Sequence, residues 1–132
     1  MTERIGQRKT RAREVIPAVV GQARGPLTVP QILKRARRDL PRLGVATVYR
    51  TIKLLLEAGE IVSVLLPDGQ ARYEPARKSH HHHFQCLTCR RVFCIDSCPV
   101  KGLDRRKALA GFQVQDHDLT VFGSCPDCAG HP

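Results

Sequence analysis

Two Cys-x-x-Cys pairs, Cys86/Cys89 and Cys125/Cys128, stand near the end of this 132-residue chain. Two thiols separated by two residues can grip one tetrahedral ion from one side, so both pairs together make a four-cysteine zinc set. Cys89 and Cys125 are 36 residues apart. That is long for a simple zinc ribbon, so a small domain is expected between them. The competing reading of Cys-x-x-Cys is a redox pair in a thioredoxin-like fold, which needs a strand-helix-strand context absent here. The start, MTERIGQRKT, is charged and lacks the apolar run of a secretory signal. No segment approaches the roughly 18 apolar residues of a membrane helix. A cytoplasmic chain is therefore expected, with no membrane partner and with cysteines used as metal ligands rather than disulfides.

Charge divides the chain at the same place. Residues 1–79 carry 16 Lys and Arg against 7 Asp and Glu, whereas residues 80–132 carry 6 against 5. All six cysteines and all six histidines follow position 79. A hydrophobic content of 42% is too high for a disordered tail. Each half is nevertheless small enough to need help from a metal or a second copy.

In the basic half, Thr28 is a good helix N-cap and Pro30 fits a first turn. Ile32, Leu33, Ala36 and Leu40 then share a face, and Pro41 and Gly44 close the helix. A second helix is predicted over 44–59. At 100° per residue Val45, Val48, Ile52, Leu55 and Leu56 fall in one arc, with Ala46, Tyr49, Arg50, Lys53 and Glu57 opposite. Gly59 is a C′ stop. Residues 61–66 and 71–74 read as strands around the turn signal Pro67-Asp68-Gly69. Two helices and a basic hairpin form the pattern of a winged helix-turn-helix. Tyr49 and Arg50 are the expected groove contacts and Lys53 a phosphate contact, with Arg8, Arg11 and Arg13 adding backbone contacts. An earlier helix over 8–20 is predicted, capped by Thr10. Pro17 requires either a kink or a helix that starts near it.

In the other half, residues 80–87 read as a strand. Alternation would put His81 and His83 on one face and His80 and His82 on the other, two bidentate imidazole pairs. His117 lies in FQVQDHDLTVF (112–122), which alternates like a strand, and can complete one of these sites; His131 reads as inert. Residues 91–95 read as a short strand ending in Cys94. Cys94 and Cys98 stay open between buried apolar residues, thiolate ligands and a redox pair. Catalysis is not expected. The H-x-E and P-C-x-x-C of zinc deaminases and the H-E-x-x-H of zinc hydrolases are absent, and all five acidic residues after position 79 are Asp.

Taken together, ATVYRTI (46–52), the spacing from ARYE (71–74) into His80–His83, Cys86-x-x-Cys89, and GFQVQDHDLTVFGSC (111–125) ending in Cys128 resemble the ferric uptake regulator family of bacterial metal-dependent repressors. The resemblance spans about residues 8–128. It implies an α+β chain: a winged-helix DNA-binding domain over 1–74, a hinge over 75–79, and a small α/β metal-binding dimerisation domain over 80–132. It also implies a homodimer on double-stranded DNA, at A/T-rich inverted repeats, with metal closing the hinge. Cys86, Cys89, Cys125 and Cys128 match the family's structural zinc site. Glu74, His81 and His83 match three ligands of its sensory site, and His80, His82 and His117 match a third site of some members.

Two positions depart from the family pattern. Cys94 stands where an Asp or Glu is usual, and Pro26 where a His is common. Thiolate favours zinc, whereas manganese and iron(II) favour oxygen and nitrogen. A Glu74–His81–His83–Cys94 set therefore points to a zinc-responsive regulator. Manganese or iron sensing, a peroxide or redox sensor on the same scaffold, and a DNA-binding zinc protein without sensing are the alternatives.

Overall fold

The computed structural model describes residues 5–77 and 79–130, with side chains of the first helix from Arg11 onward. The chain divides into two compact units, residues 1–77 and 78–132.

The first unit has three helices and a hairpin: α1 (Ile5–Gln22), α2 (Val29–Ala36), α3 (Val45–Glu57), β1 (Ile61–Leu65) and β2 (Ala71–Pro75). α2 begins with a capping box. The Thr28 hydroxyl accepts from the Gln31 N–H at 3.3 Å, and the Gln31 side chain accepts from the Thr28 N–H at 2.9 Å. α3 ends in a Schellman motif at Gly59, whose φ of 73° suits glycine. The Gly59 and Glu60 amides reach back to the carbonyls of Leu56 and Leu55. β1 and β2 pair antiparallel, Ile61 opposite Pro75 and Leu65 opposite Ala71. Ala12, Ile16 and Val20 of α1 pack with Ile32 and Ala36 of α2 and Val48, Ile52 and Leu55 of α3.

Several local expectations change. Thr10 does not cap α1, which is already helical at Ile5, and the helix runs through Pro17 without restarting there. Pro17 deprives the Arg13 carbonyl of a partner, but Arg13 is exposed, so water can take that bond. α2 stops at Ala36, before Leu40. Arg37 is its C-cap, and the Arg37 Nε donates to the Leu43 carbonyl at 2.9 Å. Leu40 still packs on the core from the following turn. On α3 the buried residues are Val48, Thr51, Ile52 and Leu55, while Val45 and Leu56 are exposed. The buried stripe is thus narrower than the apolar arc and borrows a threonine. The Thr51 hydroxyl is satisfied by the Thr47 carbonyl at 2.8 Å.

The second unit is built on a three-stranded sheet, β3 (His82–Cys86) between β4 (Val92–Ile95) and β5 (Thr120–Gly123). β4 is antiparallel to β3 and β5 parallel to it. Two single-turn 3-10 segments, Leu103–Arg105 and Lys107–Leu109, and a short helix α4 (Pro126–Ala129) complete it. The alternating stretch 112–122 is strand only from Thr120. The β3 register begins at Thr120, with the Leu119 carbonyl accepting from the His83 amide at 3.4 Å just ahead of it, so residues 112–118 alternate in sequence without joining the sheet.

Candidate metal centres and an exposed basic helix

Cys86 closes β3, and Cys89 follows on a tight turn in which the Arg90 amide donates to the Cys86 carbonyl at 3.0 Å. Arg90 sits at φ 67°, a left-handed conformation that costs a non-glycine residue roughly 1–2 kcal/mol. Cys125 caps α4 and Cys128 lies within it. The four sulfurs lie within 4.8 Å of one another, with Cys89 and Cys125 3.9 Å apart. A tetrahedral ion with zinc–sulfur bonds near 2.3 Å has S···S edges of about 3.8 Å, so the set fits zinc.

The electrostatics favour thiolates. The amides of Cys89 and Cys125 both donate to Cys86 Sγ at 3.4 Å, and these backbone donors pull its pKa down to about 5. Arg91 Nε donates to Cys89 Sγ at 3.3 Å and is the largest reason that thiol is also lowered. The same guanidinium reaches Cys125 Sγ at 3.8 Å and Asp127 at 3.0 Å. Cys128 is pushed up to about 12 by hydrogen bonding with Cys125 and by burial. An arriving cation would displace the protons that remain, which couples binding to folding. Arg91 has no signal in the sequence beyond its charge, because its contact with Cys125 crosses 34 residues.

The histidine run feeds two further groups. Across β3 and β4, His83 stands directly opposite Cys94. His81, His83 and Cys94 present ligand atoms within 4.8 Å of one another. The two rings lie 5.1 Å apart, and His81 Nδ1 is 3.2 Å from the Ser79 carbonyl. Glu74 is on β2, in the other unit.

The second group gathers His80, His82 and His117 around Cys98. Nε2 of His80 lies 2.7 Å from Nε2 of His82 and 3.0 Å from that of His117, and the His82 and His117 nitrogens are 3.1 Å apart. Cys98 Sγ is 3.4 Å from the first of that pair and 3.2 Å from the second. Burial, and then the neighbouring His80 and His117 rings, lower the pKa of His82 below 6.5. Cys98 is an open residue in the sequence; only the folded connection between β4 and β5 brings it here.

The unburied face of α3 carries Tyr49, Arg50 and Lys53. Tyr49 is 57% exposed, and the Arg50 guanidinium donates to the Thr47 hydroxyl at 3.2 Å. Arg11 and Arg13 are exposed on α1, and Arg8 lies outside the described side chains. Among the described residues no helix is long and apolar enough to cross a membrane.

Three helices and a hairpin with an exposed basic helix, followed by a sheet unit rich in thiol and imidazole groups, define a metal-binding DNA-binding regulator rather than an enzyme. The model of the "Ferric uptake regulator family" matches residues 4–122, and the chain belongs to that family of metal-responsive transcription regulators. It is 32% identical over 130 residues to the ferric uptake regulation protein of Campylobacter jejuni, covering 93% of this chain and 80% of that one. It is 33% identical to that of Rhizobium leguminosarum bv. viciae, covering 92% and 86%. A solved structure of a zinc-bound manganese uptake regulator superposes with a TM-score of 0.78 at 30% identity, covering 86% of each chain.

Proposed function

We propose that this chain is a zinc-responsive repressor that acts in the cytoplasm as a homodimer on A/T-rich inverted repeats. The observation that carries the zinc reading is the thiol of Cys94 beside His81 and His83. A thiolate with two imidazoles is a donor set for zinc rather than for manganese or iron(II). Glu74 is assigned as the fourth ligand from the family resemblance. A ligand from each unit would make metal affinity depend on their arrangement, so metal would shift the population toward the DNA-binding form. The Cys86–Cys89–Cys125–Cys128 set is assigned a structural zinc.

Tyr49 and Arg50 are assigned to the major groove and Lys53 to phosphate, with Arg8, Arg11 and Arg13 adding backbone contacts. Exposed Val121 and Phe122 on β5, an edge strand among the described residues, support a second copy as partner. The similarity to a manganese uptake regulator favours one competing reading, a manganese sensor.

Metal titration against an A/T-rich inverted-repeat duplex separates the two. Zinc should restore binding to metal-stripped dimer at concentrations where manganese does not; the reverse result sinks the zinc reading. Cys94→Asp should weaken zinc affinity, and Glu74→Ala should weaken metal-dependent DNA binding while leaving the dimer intact.

A further inference from the structure

We infer that Arg91 is a clamp on the four-cysteine site: its guanidinium ties the two Cys-x-x-Cys turns together, covers the Cys89 sulfur, and so sets how slowly the site gives up zinc. The inference rests on the assignment of zinc to Cys86, Cys89, Cys125 and Cys128, and not on which metal controls DNA binding.

The backbone delivers Arg91 to this place. The first Cys-x-x-Cys turn closes where the Cys86 amide donates to the Arg91 carbonyl at 2.9 Å. Arg90, left-handed at φ 67°, turns the chain back there, and β4 starts at Val92. Extended backbone then puts Arg91 and Phe93 on one side. The guanidinium carbon lies 5.4 Å from the centre of the Phe93 ring. Stacking on a ring fixes the plane of a guanidinium and limits the rotamers it samples.

From that plane the fork reaches both turns. Nε donates to Cys89 Sγ at 3.3 Å on the first. Nη2 reaches Cys125 Sγ at 3.8 Å and Asp127 Oδ2 at 3.0 Å on the second. An exposed ion pair such as Arg91–Asp127 contributes little by itself. Here the carboxylate has another use, because it holds the guanidinium over the sulfurs. A lysine cannot reproduce these contacts, since its ammonium is one point where two separated N–H groups are needed.

The chemistry of the site calls for such a group. Four thiolates around a divalent zinc leave two negative charges, carried on sulfur. Each sulfur keeps lone pairs that zinc does not use, and these are where a proton or an electrophile attacks. N–H groups aimed at the lone pairs oppose that attack. Cys86 is buried and takes two from the backbone, the amides of Cys89 and Cys125 at 3.4 Å. Cys89 is only half-buried and takes its side-chain N–H from Arg91. Cys128, also half-buried, is hydrogen-bonded with the thiols of Cys125, Cys86 and Cys89. The hydrogen bonds of Arg91 go to Cys89, Cys125 and Asp127. Cys128 is therefore an internal reference, a comparably buried thiol of the same site that relies on sulfur partners.

The test uses the full-length zinc-loaded protein, an excess of chelator, and iodoacetamide as a thiol probe. Arg91→Gln should lose about 10–100-fold in affinity for its most tightly held zinc, read as faster release to the chelator. Before release, alkylation of Cys89 should rise about tenfold relative to Cys128, read by peptide mass spectrometry. Arg91→Lys should fall between wild type and Arg91→Gln. Asp127→Asn should act in the same direction more weakly, and should add nothing to Arg91→Gln. Wild-type release from Arg91→Gln overturns the clamp. Equal rises at Cys89 and Cys128 overturn the cover, because loosening of the whole site affects both thiols. Should Arg91→Gln hold no zinc, Arg91→Lys decides: zinc bound but released severalfold faster than from wild type upholds the clamp, and wild-type release overturns it. Effects of Arg91→Gln and Asp127→Asn that simply add overturn the place given to Asp127. Failure of zinc to protect the four cysteines of wild type from alkylation overturns the zinc assignment and the inference with it, a result distinct from an Arg91 substitution without effect.

Discussion

In the N-terminal unit most of the interior is hydrocarbon, with Ile16, Ile32, Val48, Ile52 and Leu55 at or near zero exposure, beside buried Thr51, Arg72 and Glu74. In the C-terminal unit the buried apolar residues among those described are Cys86, Val92 and Cys125, beside buried His82, His83 and Gln85. Two of those three apolar residues are thiols of the four-cysteine set. Apolar burial contributes roughly 25 cal/mol per Å² and accumulates only where there is hydrocarbon to bury. The first unit therefore has hydrocarbon enough to take most of its stability from packing, with buried Arg72 paired to Asp68 at 2.9 Å. The second has ligand groups where a core would be, so ions held by the proposed sites would supply much of its stability.

The largest effect expected from this contrast is metal removal. Strong chelation, or Cys86→Ser, should unfold the C-terminal unit and leave the helical signal of the first unit largely intact. Structural zinc in small domains contributes about 10–16 kcal/mol. Exchange measured separately over the two units checks it, and loss of both together would break the contrast. Next, Ile32→Ala should destabilise the N-terminal unit by about 2–5 kcal/mol through the cavity it leaves. That loss should be the same with and without zinc; denaturant melts under both conditions decide.

A surface change should touch neither core. Arg50→Ala should leave both melts unchanged and cost about 1–3 kcal/mol of discrimination between duplex sequences, whereas Lys53→Ala should mainly lower the salt slope of binding. Thr28→Ala, which removes one half of the capping box, should cost about 1 kcal/mol and only in the first unit. A shift of the C-terminal unit by that substitution would mean the two units do not melt independently.

Local signals read well where the physics is local. Thr28 and Pro30 announce the start of α2, Gly59 the end of α3, and Pro67-Asp68-Gly69 the hairpin turn, because capping and turn chemistry span only a few residues. α1 is harder, since Pro17 looks like a boundary and is in fact carried inside a helix held by packing of Ala12, Ile16 and Val20. The exposed Val45 and Leu56 show the same limit. Apolar arc on a helical wheel and buried stripe coincide only where a neighbour exists to cover them.

By itself the sequence determined that four cysteines in two pairs would form one set, and that four consecutive histidines would divide into two alternating pairs, although the strand begins only at His82. Both follow from covalent spacing and the two-residue period of extended backbone. Which cysteine joined which pair of histidines was decided only in three dimensions. The β3–β4 register sets Cys94 opposite His83, while the path of a connection with no buried residue carries Cys98 and His117 to His80 and His82. Strand register and loop path depend on pairing energies between distant segments, and no spacing within either segment encodes them.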